Sequence, residues 1–191
     1  MNMEKNRTLT TRKIVFAALM AALVAVGSDL RVKIPVDIGG NSAFHLGNIF
    51  CALSGNLLGP WLGGLAAGLG SALHDIVFDP SYISECWLTF LMKGAYGLIA
   101  GLIIRIGGKE WGYVKAILSS AAGAVTYAVL YLIKSYFKAM IVEGVAAGAA
   151  WLAVIGKLPA TIFNAVVAVV FAPILAVAIR TALKKNHLTL E

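Results

Sequence analysis

Charge is the scarcest property of this chain: Asp, Glu, Lys and Arg make up 13% of 191 residues, against roughly 25% in a soluble domain. Hydrophobic residues make up 60%, which excludes an ordinary water-soluble domain. Two cysteines, Cys51 and Cys86, and three histidines lack the spacing of a metal site, so no metal is expected and the cysteines read as packing residues. No G-x-x-x-x-G-K-[ST] phosphate loop occurs, so any ATP that drives this protein is bound by another chain. Nor is any polar stretch long enough to fold as a soluble catalytic domain.

What is present is a set of apolar runs. A bilayer core about 30 Å thick needs about 20 residues of helix, fewer where neighbours cover the helix. Six segments fit: 13–28, 45–58, 61–78, 86–106, 113–137 and 157–183. The expectation is an all-α integral membrane protein of six transmembrane helices. Residues 1–191 form one membrane domain, with a cytoplasmic tail over 1–12, an outer gating loop over 29–44 and a second cytoplasmic tail over 184–191. Ala25-Val26-Gly27-Ser28 resembles a signal-peptidase site, but five further spans favour retention as helix 1.

The net charge of +7 does not point to nucleic acid, because the basic residues sit at helix ends. Lys5, Arg7, Arg12, Lys13, Arg105, Lys109, Lys115, Arg180, Lys184 and Lys185 fall on one side, and Arg31, Lys33, Lys134, Lys138 and Lys157 on the other. The positive-inside tendency then puts both termini in the cytoplasm of a multi-pass cell-membrane protein.

The stretch His45 to Asp79 reads as a helical hairpin turned at Gly59-Pro60, with small residues four apart at Gly55, Gly59 and Gly63 and at Gly64 and Gly68. That spacing lets helix backbones touch inside a membrane. Ala17, Ala21 and Ala25 form a similar strip on helix 1, beside Ala18 and Ala22, suited equally to internal packing and to docking a partner helix. Residues 29–44 alternate apolar side chains before Gly39-Gly40-Asn41, the pattern of an extended flap hinged on the glycine pair.

Polar residues inside apolar spans are costly and point to a site. Asn48 lies on helix 2, His74 and Asp75 end helix 3, Trp87 opens helix 4 and Lys93 is buried within it. Tyr127 and Tyr131 share the polar stripe of helix 5. Lys157, Thr161 and Asn164 share one face of helix 6 at i, i+4 and i+7. Counted from the helix ends at about 1.5 Å per residue, these cluster in the outer third, above apolar inner halves. The result is a cup open to the outside rather than a channel, suited to a small, flat, hydroxylated or anionic molecule.

The segments HLGNIFCALSGNLLGPWLGGLAAGLGSALHD, FLMKGAYGLIAGLI around Lys93 and KLPATIFNAVVAVVFAPIL around Asn164 resemble the substrate-binding S components of energy-coupling factor (ECF) vitamin transporters, in the branch with riboflavin-, hydroxymethylpyrimidine- and pyridoxine-type members. The resemblance implies a binding subunit with no catalytic residues and no cofactor, partnered in the lipid bilayer by a membrane scaffold (T) subunit and two ATP-binding subunits. It implies that Ala17, Ala21 and Ala25 dock on the scaffold, and that Lys93, Asn164 and the loop near Gly39-Gly40 bind and gate. Two other readings are weighed beside it. One is a rhomboid-like serine protease using Ser54 with His74, disfavoured because the two fall at opposite ends of their helices and a dyad needs hydrogen-bond reach of about 3 Å. The other is a ligand-free membrane scaffold.

Overall fold

The computed structural model describes residues 11–34, 42–108 and 111–187. Six α-helices and one β-hairpin form a single bundle: α1 (Thr11–Asp29), β1 (Arg31–Ile34), β2 (Ser42–His45), α2 (Gly47–Leu58), α3 (Pro60–Val77), α4 (Cys86–Ile103), α5 (Tyr113–Phe137) and α6 (Ala147–Lys185). A 3-10 turn over Pro80–Glu85 leads into α4, and a π turn over Lys138–Val142 ends α5. The expected hinge at Gly39, Gly40 and Asn41 lies outside the described residues. On either side of it the apolar alternation forms an antiparallel pair with Arg31 opposite His45 and Ile34 opposite Ser42. His45 therefore belongs to β2, and α2 starts two residues later than the apolar pattern suggested.

At the centre α2, α3 and α4 touch backbone to backbone. A Cβ on Gly63 would lie 2.7 Å from the Gly55 Cα, and one on Gly97 would lie 2.5 Å from the Gly63 carbonyl oxygen. Only glycine permits that approach, as the four-residue spacing predicts. The α2–α3 turn needs Gly59 for a second reason: its φ of 79° suits glycine, and Pro60 then starts α3 where its missing N–H costs nothing. The last carbonyls of α2 are met by arginine, Arg105 Nη2 donating to Leu58 O at 3.4 Å and Arg180 Nη2 to Asn56 O at 3.5 Å. Cations there also complement the helix dipole.

Of the twelve residues of α2 only Phe50 is not buried. Among the described residues four helices are long and apolar enough to cross a membrane: α1, the Pro80–Ile103 helix containing α4, the Tyr113–Val142 helix containing α5, and α6. α2 falls outside that set because it has only twelve residues and its neighbours are protein, and α3 because its glycines, His74 and Asp75 dilute its apolar character, although Trp61, Leu65, Leu69 and Leu73 form an exposed apolar face.

Two expectations are corrected here. α6 begins ten residues before Lys157, since Ala147–Gly156, left outside the six expected segments, is helical; alanine is the best helix former, and Ala150 and Ala153 pack with Ala139 and Tyr136. Depth counted from a start at Lys157 is therefore invalid for Asn164. The alanine strip is also reassigned. Ala21 and Ala25 are buried within the bundle, where a Cβ on Gly70 of α3 would come 2.2 Å from the Ala21 carbonyl oxygen, and Ala17 packs against the core. The strip is spent on α3, and Ala18 and Ala22 occupy the exposed face of α1.

Candidate binding site

A cavity of about 150 Å³ opens beneath the β-hairpin, between α3, α4, α5 and α6, with Ser28 at the end of α1 on its wall. Its walls include Asp75, His74, Lys93, Tyr127, Tyr131, Thr161 and Asn164, so seven of the nine sequence candidates line one space. Asn48 stands just behind, accepting a hydrogen bond from Lys93 Nζ. Trp87 does not belong: it is 62% exposed on the first turn of α4, outside the cavity wall. An end-of-helix position was mistaken for the mouth, and the helix turns Trp87 outward.

The aromatic wall is a ladder along α5 and α4. Tyr127 and Tyr131, four residues apart, stack with centroids 5.8 Å apart, and Tyr96 lies 6.1 Å beyond Tyr127. Lys93 Nζ sits 4.4 Å from the Tyr127 centroid, a cation–π contact that helps hold a buried ammonium. Lys157, 4% exposed, faces Tyr131 at 5.8 Å. The sequence places it at the start of helix 6; in the fold it lies ten residues inside α6, which accounts for its burial.

Asn164 lines the cavity but is engaged. Its Nδ2 donates to Ala43 O at 2.8 Å and its Oδ1 accepts from His45 N at 3.0 Å, so it pins β2 to α6. Thr161 donates to Lys157 O at 2.8 Å within its own helix. A second tether joins β1 to the loop after α3. Arg31 Nη2 and Lys33 Nζ lie 2.5 Å and 2.9 Å from Asp79 Oδ2, and Ser81 Oγ donates to Oδ1 at 2.5 Å. Burial opposes the charge on Asp79, but the Ser81 hydroxyl and the two cations outweigh it and hold the carboxyl down at about 2. On the far side of the cavity Glu85 takes both Lys134 and Lys138, the latter at 2.6 Å, tying α5 to the start of α4.

Five buried polar atoms on the cavity wall have no hydrogen-bond partner: Ser28 Oγ, His45 Nδ1, Ser71 Oγ, His74 Nε2 and Asp75 Oδ2. Buried polar atoms are nearly always satisfied, so five orphans around one space make this cavity the candidate site. Ser71 shares a face of α3 with His74 and Asp75, as the helical spacing indicates, whereas Ser28 carries no signal in the sequence because a lone serine in a membrane helix is common.

Away from the cavity the bundle is not purely apolar, contrary to expectation. Asn56 Nδ2 donates to Ser120 Oγ at 3.0 Å, and Ser119 Oγ lies 2.5 Å from Asn56 Oδ1 and 2.6 Å from Ala100 O. These groups satisfy one another and seal the centre. Ser54 Oγ is bonded to Cys51 O and Gly63 O, at 2.8 Å and 2.9 Å, and makes no contact with His74. Its hydroxyl staples α2 to α3, which removes the geometric basis for a serine nucleophile.

The family model described as "ECF-type riboflavin transporter, S component" matches residues 8–181. The chain belongs to this S-component family. Its fold agrees: the crystal structure of the S component for biotin from an ECF-type ABC transporter superposes with a TM-score of 0.62 at 15% identity, over 91% of this chain and 94% of that one. This S component is also 31% identical over 107 residues to an uncharacterized protein of Pyrococcus woesei, and 31% identical over 96 residues to a UPF0397 protein of Streptococcus gordonii. Those stretches cover 56% and 50% of this chain and 66% and 48% of the relatives. The chain thus spans about half to two thirds of the curated relatives it matches.

Proposed function

We propose that this chain is the high-affinity, membrane-embedded binding subunit of an ATP-driven ECF importer for a small water-soluble vitamin or precursor. It is no enzyme itself; a T subunit and two ATP-binding subunits would supply the drive. In this reading all six helices lie in the cell membrane, both termini are cytoplasmic, the cavity faces outward and residues 29–44 gate it. The observation that carries the reading is the convergence of five unsatisfied buried polar atoms on one cavity floored by tyrosines. A ligand-free scaffold would have no use for them.

Cavity size supports a small ligand. About 150 Å³ is half the lower end of the roughly 300–1,000 Å³ of drug-sized sites. One ring with short substituents, as in pyridoxine or hydroxymethylpyrimidine, suits it better than the three fused rings and polyol chain of riboflavin. With Ala17, Ala21 and Ala25 spent internally, docking to the scaffold falls to the face of α1 bearing Ala18 and Ala22.

The test is calorimetric titration of the purified chain with pyridoxine, hydroxymethylpyrimidine and riboflavin, together with mass spectrometry for a ligand carried through purification. The expected result is saturable binding of one compound at one site per chain. Absence of both heat and co-purified ligand would overturn the reading. Tryptophan fluorescence is a poor reporter here, since Trp87 lies outside the cavity.

A further inference from the structure

Lys93 and Asp75 carry opposite charges, line the same cavity, are 4% and 6% exposed, and do not form an ion pair. Each is held by a different neighbour. Lys93 Nζ donates to the side-chain oxygen of Asn48 and lies over the Tyr127 ring, contacts that steady the ammonium without neutralising it. Asp75 Oδ1 is 3.1 Å from His74 Nδ1, and its Oδ2 is buried with no hydrogen-bond partner. An uncompensated buried ion is costly, and two of opposite sign gain by closing on each other. Here Lys93 is bonded to Asn48 and Asp75 lies beside His74, and both line the same cavity.

We infer that the ligand is dipolar: one small aromatic ring presenting an anionic oxygen to Lys93 and an N–H or O–H donor to Asp75 Oδ2. The flat ring would lie along Tyr127, and the unsatisfied Ser71 Oγ and His45 Nδ1 would receive its remaining polar groups. This inference rests on the vitamin-binding reading and narrows it. A 3-hydroxypyridine, which holds a ring-oxygen anion and a pyridinium N–H on one ring, supplies both ends. A neutral pyrimidine alcohol supplies the donor without the anion.

The experiment compares, by calorimetric titration, pyridoxine with its 3-O-methyl ether, which lacks the acidic oxygen, and with hydroxymethylpyrimidine and riboflavin. On the unmodified chain the ether is expected to bind about tenfold to a hundredfold more weakly than pyridoxine, the range of one charge-assisted hydrogen bond. Lys93→Met should weaken pyridoxine by a similar factor and leave the ether unchanged, and Asp75→Asn should weaken both. Ether and parent binding the unmodified chain equally would overturn the dipolar assignment, a comparison that needs no variant to fold. Tighter binding of hydroxymethylpyrimidine or riboflavin than of any hydroxypyridine would overturn it too, while leaving the binding-subunit reading intact. No binding by any probe, with no co-purified ligand, would remove both.

Discussion

Asn164 on α6 grips the backbone of β2 from both ends of its amide, giving one hydrogen bond to Ala43 O and taking one from His45 N. It does for the hairpin what a neighbouring strand would do. Both ends of the Asn164 amide on the cavity wall are thus engaged in pinning β2 to α6.

Asn164→Ala should therefore loosen the hairpin while sparing the helices. Two lost hydrogen bonds at about 1 kcal/mol each predict roughly tenfold or greater acceleration of ligand release. Hydrogen exchange of residues 42–45 should rise with it, and exchange in α2 and α3 should not. Unchanged exchange over 42–45 would show that the pin is dispensable.

The tether at Asp79 gives a pH signature. A carboxyl held at about 2 when folded, against roughly 3.9 when free, contributes its full share above pH 4. That share, ~2 kcal/mol, is lost as pH falls through 2. Hairpin protection should stay flat from pH 7 to about 4 and decline below. Asp79→Asn should abolish it at neutral pH and remove the acid limb, measured by exchange at Arg31–Ile34.

The glycine stack separates two kinds of small residue. Gly63→Ala is expected to destabilise by about 1–3 kcal/mol through overpacking against Gly55. Gly94→Ala, whose new methyl would meet nothing closer than 3.5 Å, should be tolerated. Thermal melting in detergent distinguishes them, and equal melting points would refute the close-packed centre.

On α1, Ala21→Trp should destabilise the isolated chain, because Ala21 is buried against Gly70. Ala22→Trp, on the exposed face, should leave the melting point unchanged but abolish co-purification with a T subunit. Loss of co-purification with Ala21→Trp alone, at an unchanged melting point, would restore the original strip as the docking face.

Much of this was legible in the sequence because membrane chemistry magnifies local signals. A lysine at 93 in an apolar span, or glycines four apart, have few alternative uses in lipid, and both landed where their types required. The alternating residues before Gly39 read as extended chain, and Arg31–Ile34 is extended; that it pairs with Ser42–His45 was not read from the pattern. What failed depended on facts that spacing does not carry. Ala21 and Ala22 are equally small, and only the position of Gly70 decides which faces inward. Trp87 was misplaced because the start of α4, correctly read at Cys86, does not say which way the first turn points, and the depths of Lys157 and Asn164 were misjudged because the alanine-rich start of α6 resembles a small-residue loop. Ser28 was invisible singly, since a site made by convergence has no motif.

The burial of α2 on nearly every side sets apart the requirements on this chain's length. A helix in contact with lipid must match the hydrocarbon thickness, at a cost of fractions of a kcal/mol per Å of mismatch. Twelve residues span only about 18 Å, yet α2 meets almost no lipid and incurs none of that cost. Adjustment to thicker or thinner membranes is left to the other five helices, which carry exposed apolar faces at the periphery. The helix that carries Asn48 is thereby insulated from the lipid composition around it, as a bearing is from its housing.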